Sequence, residues 1–202
     1  MNTGAVGDSA DTGSMRRPKR VSLLALVAAT TIALTGCSTY DGVLWRQLDR
    51  QEGFALDLIS QAERDRIGHG QFRANLTSSE AFWDGSADPS MFASGGPASA
   101  IYNVTESVDD FGDPTVSFDV LVFSGLRPVG VPRDDAGQAG GAYTGPPSVY
   151  TCYRLSVTFV AGTVWSRQRS HYYGPDQLPC PAQLVDTLGP GAAYGEPWEF
   201  DG

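Results

Sequence analysis

The stretch Val149-Tyr150-Thr151-Cys152-Tyr153-Arg154-Leu155-Ser156-Val157-Thr158-Phe159-Val160 decides the fold. Val149, Thr151, Tyr153, Leu155, Val157 and Phe159 fall on one face. Tyr150, Cys152, Arg154, Ser156, Thr158 and Val160 fall on the other. A two-residue period with one strongly apolar set predicts a long β-strand buried on one side. Ala161-Gly162 reads as a two-residue hairpin loop into a second strand over 163–173. That hairpin sets Val160 opposite Thr163, Thr158 opposite Trp165, Ser156 opposite Arg167, Arg154 opposite Arg169 and Cys152 opposite His171. One face would then carry Arg154, Arg167, Arg169 and His171 beside Trp165. Like charges directly opposed destabilise a ladder, so the cluster needs compensation. Acidic side chains of the same chain, a bound anion or solvent would supply it. The cluster is a candidate anion or partner patch, with internal ion pairing as the plainer alternative.

Upstream, Val116, Phe118, Val120 and Val122 alternate with Ser117, Asp119, Leu121 and Phe123, which predicts another strand. Ala100 to Val108 alternates more weakly, and 109–114 reads as the turn between the two. Residues 125–147 are rich in Gly, Pro, Asp and Ala and read as a mobile connection. From Asp41 to Ile67, Val43, Leu44, Leu48, Ala55, Leu58, Ile59 and Ala62 recur at helical spacing, with Asp41 as N-cap. Gly53 is expected to bend or split this helix, and Gly68-His69-Gly70 to end it. Thr77-Ser78-Ser79-Glu80 has the form of a capping box opening a short helix through Trp83. Pro181 to Leu188 reads as a short C-terminal helix with proline first. The tail from Tyr194 to Phe200 suits either a docking peptide or a cover for the chain's own sheet. The expected class is α+β: a long N-terminal helix on an antiparallel sheet of about four strands, with a short C-terminal helix. A cystatin-like or NTF2-like cone fits this order by fold analogy, which carries no function.

The N-terminus has a different character. Arg16, Arg17, Lys19 and Arg20 precede an apolar run from Val21 to Leu34, and Leu34-Thr35-Gly36-Cys37 follows at its end. The 14 apolar-run residues are short of the ~20 that a spanning helix needs. This order resembles a bacterial lipoprotein signal with a lipobox. The resemblance implies cleavage before Cys37 and a diacylglycerol on its sulfur, carrying acyl chains such as palmitate. It implies an extracytoplasmic domain over 37–202, held on the cell membrane by lipid. Residues 1–36 would be the signal peptide, and Met15 an alternative start that leaves 1–14 outside it. Arg16-Arg17 lacks the following residues of a twin-arginine signal, so the general secretory route is expected. Two acyl chains anchor stably where one binds only marginally.

The whole chain carries 14 basic and 23 acidic residues. Four basic and two acidic ones precede Cys37, so 37–202 holds ten against 21, a net of −11. That charge disfavours nucleic acid and anionic lipid as partners. Lys19 is the only lysine. The domain therefore lacks a phosphate-loop lysine, a Schiff-base lysine and a Ser-Lys pair. Arginine in place of lysine is similar to the usage of actinobacterial proteins. Of three cysteines, Cys37 goes to lipid on the lipoprotein reading, which leaves Cys152 and Cys180 to pair as a disulfide in an oxidising compartment. His69 and His171 are the only histidines and lack metal-ligand spacing, so neither a metal nor a cofactor is expected. Asp109-Asp110-Phe111-Gly112-Asp113 holds the letters of a kinase motif without its companions, and suits a polar turn. No G-x-S-x-G elbow occurs.

The functional expectation is a non-enzymatic module that binds an envelope protein. Two alternatives stand beside it: a small-ligand carrier with a pocket between helix and sheet, and an envelope hydrolase whose site has no motif. A concave cavity with converging polar groups would mark the carrier. Perturbed carboxylates gathered in a cleft would mark the hydrolase.

Overall fold

A computed structural model of the chain describes residues 41–92, 98–134, 141–170 and 180–196. Cys37 and the signal segment lie outside them. Helix α1 runs Gly42–Arg64 without interruption at Gly53. Asp41 caps it, its side chain accepting from the Val43 N–H at 2.7 Å. Leu44, Leu48, Ala55, Ile59 and Ala62 form its buried stripe. The helix ends before Gly68. The Ile67 N–H reaches the Ala62 carbonyl and the Arg66 N–H reaches that of Glu63, with Arg66 at φ 52°. This is a Schellman closure in which arginine occupies the left-handed position usually held by glycine.

Gly68 is the N-cap of a second helix, α2, over His69–Thr77. The expected capping box is thereby corrected. Thr77 is the last residue of α2, and its hydroxyl donates back to the Arg73 and Ala74 carbonyls instead of opening a new helix. The chain then passes through a short 3-10 turn at Pro89–Met91.

Strands β1 (Ala98–Val108), β2 (Pro114–Phe123), β3 (Ser148–Val160) and β4 (Thr163–Ser170) form an antiparallel meander in the order β1-β2-β3-β4. Helix α3 (Ala182–Asp186) follows, with Pro181 at its N-cap, one position before the first turn. A fifth strand, β5 (Ala192–Tyr194), pairs in parallel with the start of β3, so the sheet is mixed and five-stranded. The start of the tail thus folds back onto its own sheet.

Both faces of this sheet are used. On the first, α1 and α2 cover Ile101, Val116, Phe118, Val120, Val122, Val149, Tyr153, Leu155, Val157 and Phe159. Phe72 of α2 packs against the rings of Phe118 and Phe159. On the second, Trp83 and Leu184 of α3 cover Ala100, Tyr102, Leu121, Phe123 and Cys152 at one end. The Cys152–Cys180 disulfide ties the approach to α3 onto this second face.

The connection expected to be mobile is held at both described ends. Tyr143 is fully buried in the main core, and its hydroxyl donates to the Pro146 carbonyl at 2.6 Å. The Arg127 guanidinium grips Asp41 at 2.6 and 2.8 Å and donates to the Pro132 carbonyl. Among the described residues no helix is long and apolar enough to cross a membrane.

Candidate functional site

The hairpin opens as expected: Val160 pairs with Thr163, and Ala161 and Gly162 both have positive φ. The next pairs differ. Phe159 faces Val164, but Thr158 faces Ser166, so Trp165 is the extra residue of a β-bulge. A one-residue slip exchanges the faces of a strand. Arg167 now lies opposite Val157 and Arg169 opposite Leu155, on the helix-covered side. Arg154 stays on the other face, opposite Ser170. The expected patch is therefore divided, and His171 lies outside the described residues.

The physical reason is legible in the partners. In the unbulged register Arg154 and Arg169 would oppose each other. With the bulge, each finds a carboxylate. Arg169 reaches Glu52 of α1 at 2.8 Å, and its guanidinium lies 4.3 Å over the Tyr153 ring. Arg154 makes a two-pronged pair with Asp119 of β2, at 2.6 and 3.0 Å. Asp119 is fully buried and also accepts from the Asn103 side chain at 2.9 Å. Asn103 sits at φ 50° in a register shift of β1, a conformation that asparagine tolerates. That irregularity places its carboxamide on the face of Asp119.

Beyond the Asp119–Arg154 pair the second face is open and polar. Ser117 and Ser156 share a hydrogen bond at 2.8 Å, and Thr115 and Thr158 share another at 3.0 Å. The adjoining β4 positions on this face are Ser166, Gln168 and Ser170. Tyr102 marks the boundary with the apolar end. Burial raises its phenol well above the usual range, the Asp119 carboxylate adds to this, and Arg154 opposes it.

The two edges of the sheet differ. At β1, residues Ala81 and Trp83 exchange backbone hydrogen bonds with Ile101, so a loop covers part of that edge. At β4, no described strand pairs on the outer side. There Trp165 is 75 % exposed, and Arg167 is exposed two residues on. Both residues stand out in the sequence, but the bulge does not, because no glycine or proline marks it. The hydroxyl pairs were also missed, since they become visible only once β2 and β3 are set in register.

Among the described residues no group of three His, Cys, Asp or Glu side chains could hold a metal. His69 pairs with Glu106 at 3.2 Å and packs its ring edge on Phe159. The Asp109 carboxylate accepts from the Phe111 and Asp113 N–H groups, closing the tight turn of the β1–β2 hairpin.

A groove of about 430 Å³ opens at the end of the sheet where β2 leaves and β3 enters. Phe123, Leu126, Pro147, Leu188 and Pro190 give it an apolar lining. The chain matches no protein-family model, no curated protein and no solved structure.

Proposed function

We propose that this chain is a lipid-anchored extracytoplasmic protein whose domain binds another component of the cell envelope without catalysing a reaction. The anchor reading rests on the basic cluster, the apolar run and Cys37. The binding reading rests on one observation above the rest: Trp165 stands exposed at a bulge of β4, which no described strand pairs on its outer side, two residues before the exposed Arg167. Tryptophan and arginine are enriched at the energetic centres of interfaces. A bulge re-aims the side chain it carries, and bulges are over-represented at sheet edges and beside functional sites.

Two further features favour binding over the alternatives. Side chains of Phe72, Phe118, Tyr153 and Phe159 fill the space between helices and sheet that a carrier would keep for its ligand. Among the described residues, the fully buried carboxylates Asp41 and Asp119 are each engaged by a guanidinium group.

Crosslinking and mass spectrometry on intact membranes tests the reading. The wild-type chain is expected to give a reproducible crosslinked partner. Trp165→Ala should weaken that complex by roughly 30-fold, the effect of losing an interface hot spot. If Trp165→Ala and Arg167→Ala together leave every crosslink unchanged, the β4 edge is not the binding surface.

A further inference from the structure

The loop from Leu126 to Val131 has a property that folding does not explain. Leu126 and Val129 are 66 % and 65 % exposed. They are not the loose tips of a wandering segment. The Arg127 N–H bonds to the Pro147 carbonyl, Gly130 to that of Tyr143, and the Tyr143 N–H returns to Val131. A firmly held backbone thus presents two large aliphatic side chains to solvent. Leu126 also lines the apolar groove described above, which extends the hydrophobic surface towards Pro147, Leu188 and Pro190.

Two ion pairs flank this loop. Arg127 is spent on Asp41, and Arg46 of α1 pairs with Asp134. On a domain that is acidic overall, these two pairs add no net charge beside the exposed aliphatic side chains. The loop is also joined to the start of the described chain. Asp41 is the first described residue and is clamped to Arg127, while the Gly125 N–H donates to Gln47 of α1 at 3.0 Å. Cys37 precedes Asp41 by four residues. Fully extended, that stretch spans at most about 14 Å. An acyl anchor on Cys37 therefore keeps Asp41, at the start of α1, within that distance of the lipid, and the Arg127 clamp holds the loop beside Asp41.

We propose that Leu126, Val129 and the adjoining groove form a membrane-contact surface that enters the bilayer carrying the Cys37 anchor. The proposal rests on the lipoprotein reading of Cys37. The occupant is the acyl-chain layer of the outer leaflet. Aliphatic side chains gain by leaving water at such an interface, and the matched ion pairs spare the domain a charge penalty there. The contact would turn a point tether into an oriented seat, with the loop against lipid.

The test uses the full-length acylated protein reconstituted in phosphatidylcholine vesicles. Single cysteines are introduced as Leu126→Cys, Val129→Cys and, as a control, Phe111→Cys, and labelled with an environment-sensitive fluorophore. Phe111 is 91 % exposed in the β1–β2 turn, at the opposite end of the sheet from Leu126. Labels at 126 and 129 should shift to the blue and be quenched by lipid-borne nitroxide, while the label at 111 remains in water. If all three remain in water on vesicles that float with the protein, the contact surface is wrong and the anchor stands. If mass spectrometry finds Cys37 unacylated and the protein does not float, the lipoprotein reading fails and the contact surface falls with it.

Discussion

Two residues, one inside α1 and one just past its C-cap, break the usual placement of glycine, and each break is measurable. Gly53 lies mid-helix, where an added Cβ would meet nothing within 4 Å. Gly53→Ala should stabilise the fold by about 1 kcal/mol, seen as a rise in thermal midpoint. Arg66 does the reverse, holding φ 52° at the end of the same helix. Arg66→Gly should gain a similar amount by relieving the left-handed strain that a Cβ imposes. A fall in midpoint for either variant would mean that the replaced residue makes contacts outweighing its backbone effect. Asp41 gives a pH signature. Burial alone would raise its carboxyl, but the Val43 N–H and the Arg127 guanidinium outweigh burial and hold it below the usual carboxylate range. A folded-state pKa below the unfolded value of about 3.9 stabilises the native state above that pH. The contribution is lost as pH falls through the folded value. Asp41→Asn keeps a capping side chain but loses the charge, and should cost about 2 kcal/mol at neutral pH. Urea titrations should show this difference narrowing towards zero as pH drops below 4. A pH-independent difference would assign the loss to packing.

At the scale of elements, the disulfide decides how the second face of the sheet is closed. Helix α3 has five residues and a single buried anchor, Leu184, too little to hold itself in place. Cys152 on β3 and Cys180 just before α3 clamp it over Trp83 and Tyr102. The bridge closes a 28-residue span. On the chain-entropy model its loss costs on the order of 3 kcal/mol. The loss should be local in its first effects. In Cys152→Ser/Cys180→Ser, amides of 182–188 and of β1 near Tyr102 should exchange faster, while those of α1 are barely changed. Uniform acceleration across both faces would show that the bridge stabilises the whole domain equally. The disulfide, β3, its hairpin and α1 were legible because each writes its period or its pairing into neighbouring residues. Helix α2 was not, because only Phe72 and Leu76 mark its buried face and Gly68-His69-Gly70 reads as a stop. Strand β5 is three residues long and has no period to read. The bulge at Trp165 was hidden for a subtler reason. It removes the opposition of Arg154 and Arg169 by giving each an acidic partner on a different element, and those partners lie 35 and 117 positions away. The charge conflict is legible in the sequence, and its resolution exists only in the tertiary fold.

On the lipoprotein reading proposed above, the question for the whole molecule is what force keeps it at a membrane. The domain beyond Cys37 carries a net charge of −11. That sign repels the anionic surface of a typical bacterial membrane, so simple electrostatic adsorption works against attachment. The proposed contact through Leu126 and Val129 is small, and interfacial burial of two side chains orients a domain without holding it. Attachment should therefore depend on the acyl chains, since two chains bind stably where one is marginal. These forces respond differently to treatment. High salt screens charge and leaves acyl anchoring intact. Washing membranes with salt should release none of the wild-type protein, whereas detergent should release all of it. Cys37→Ser removes the lipid and should move the chain into the soluble fraction. It should still fold, because the described core clusters are built from residues within 44–188. Retention of Cys37→Ser on salt-washed membranes would show that a protein partner holds the domain, through a surface such as the Trp165 edge. A variant carrying both Cys37→Ser and Trp165→Ala would then decide the matter, since its release would assign retention to that edge.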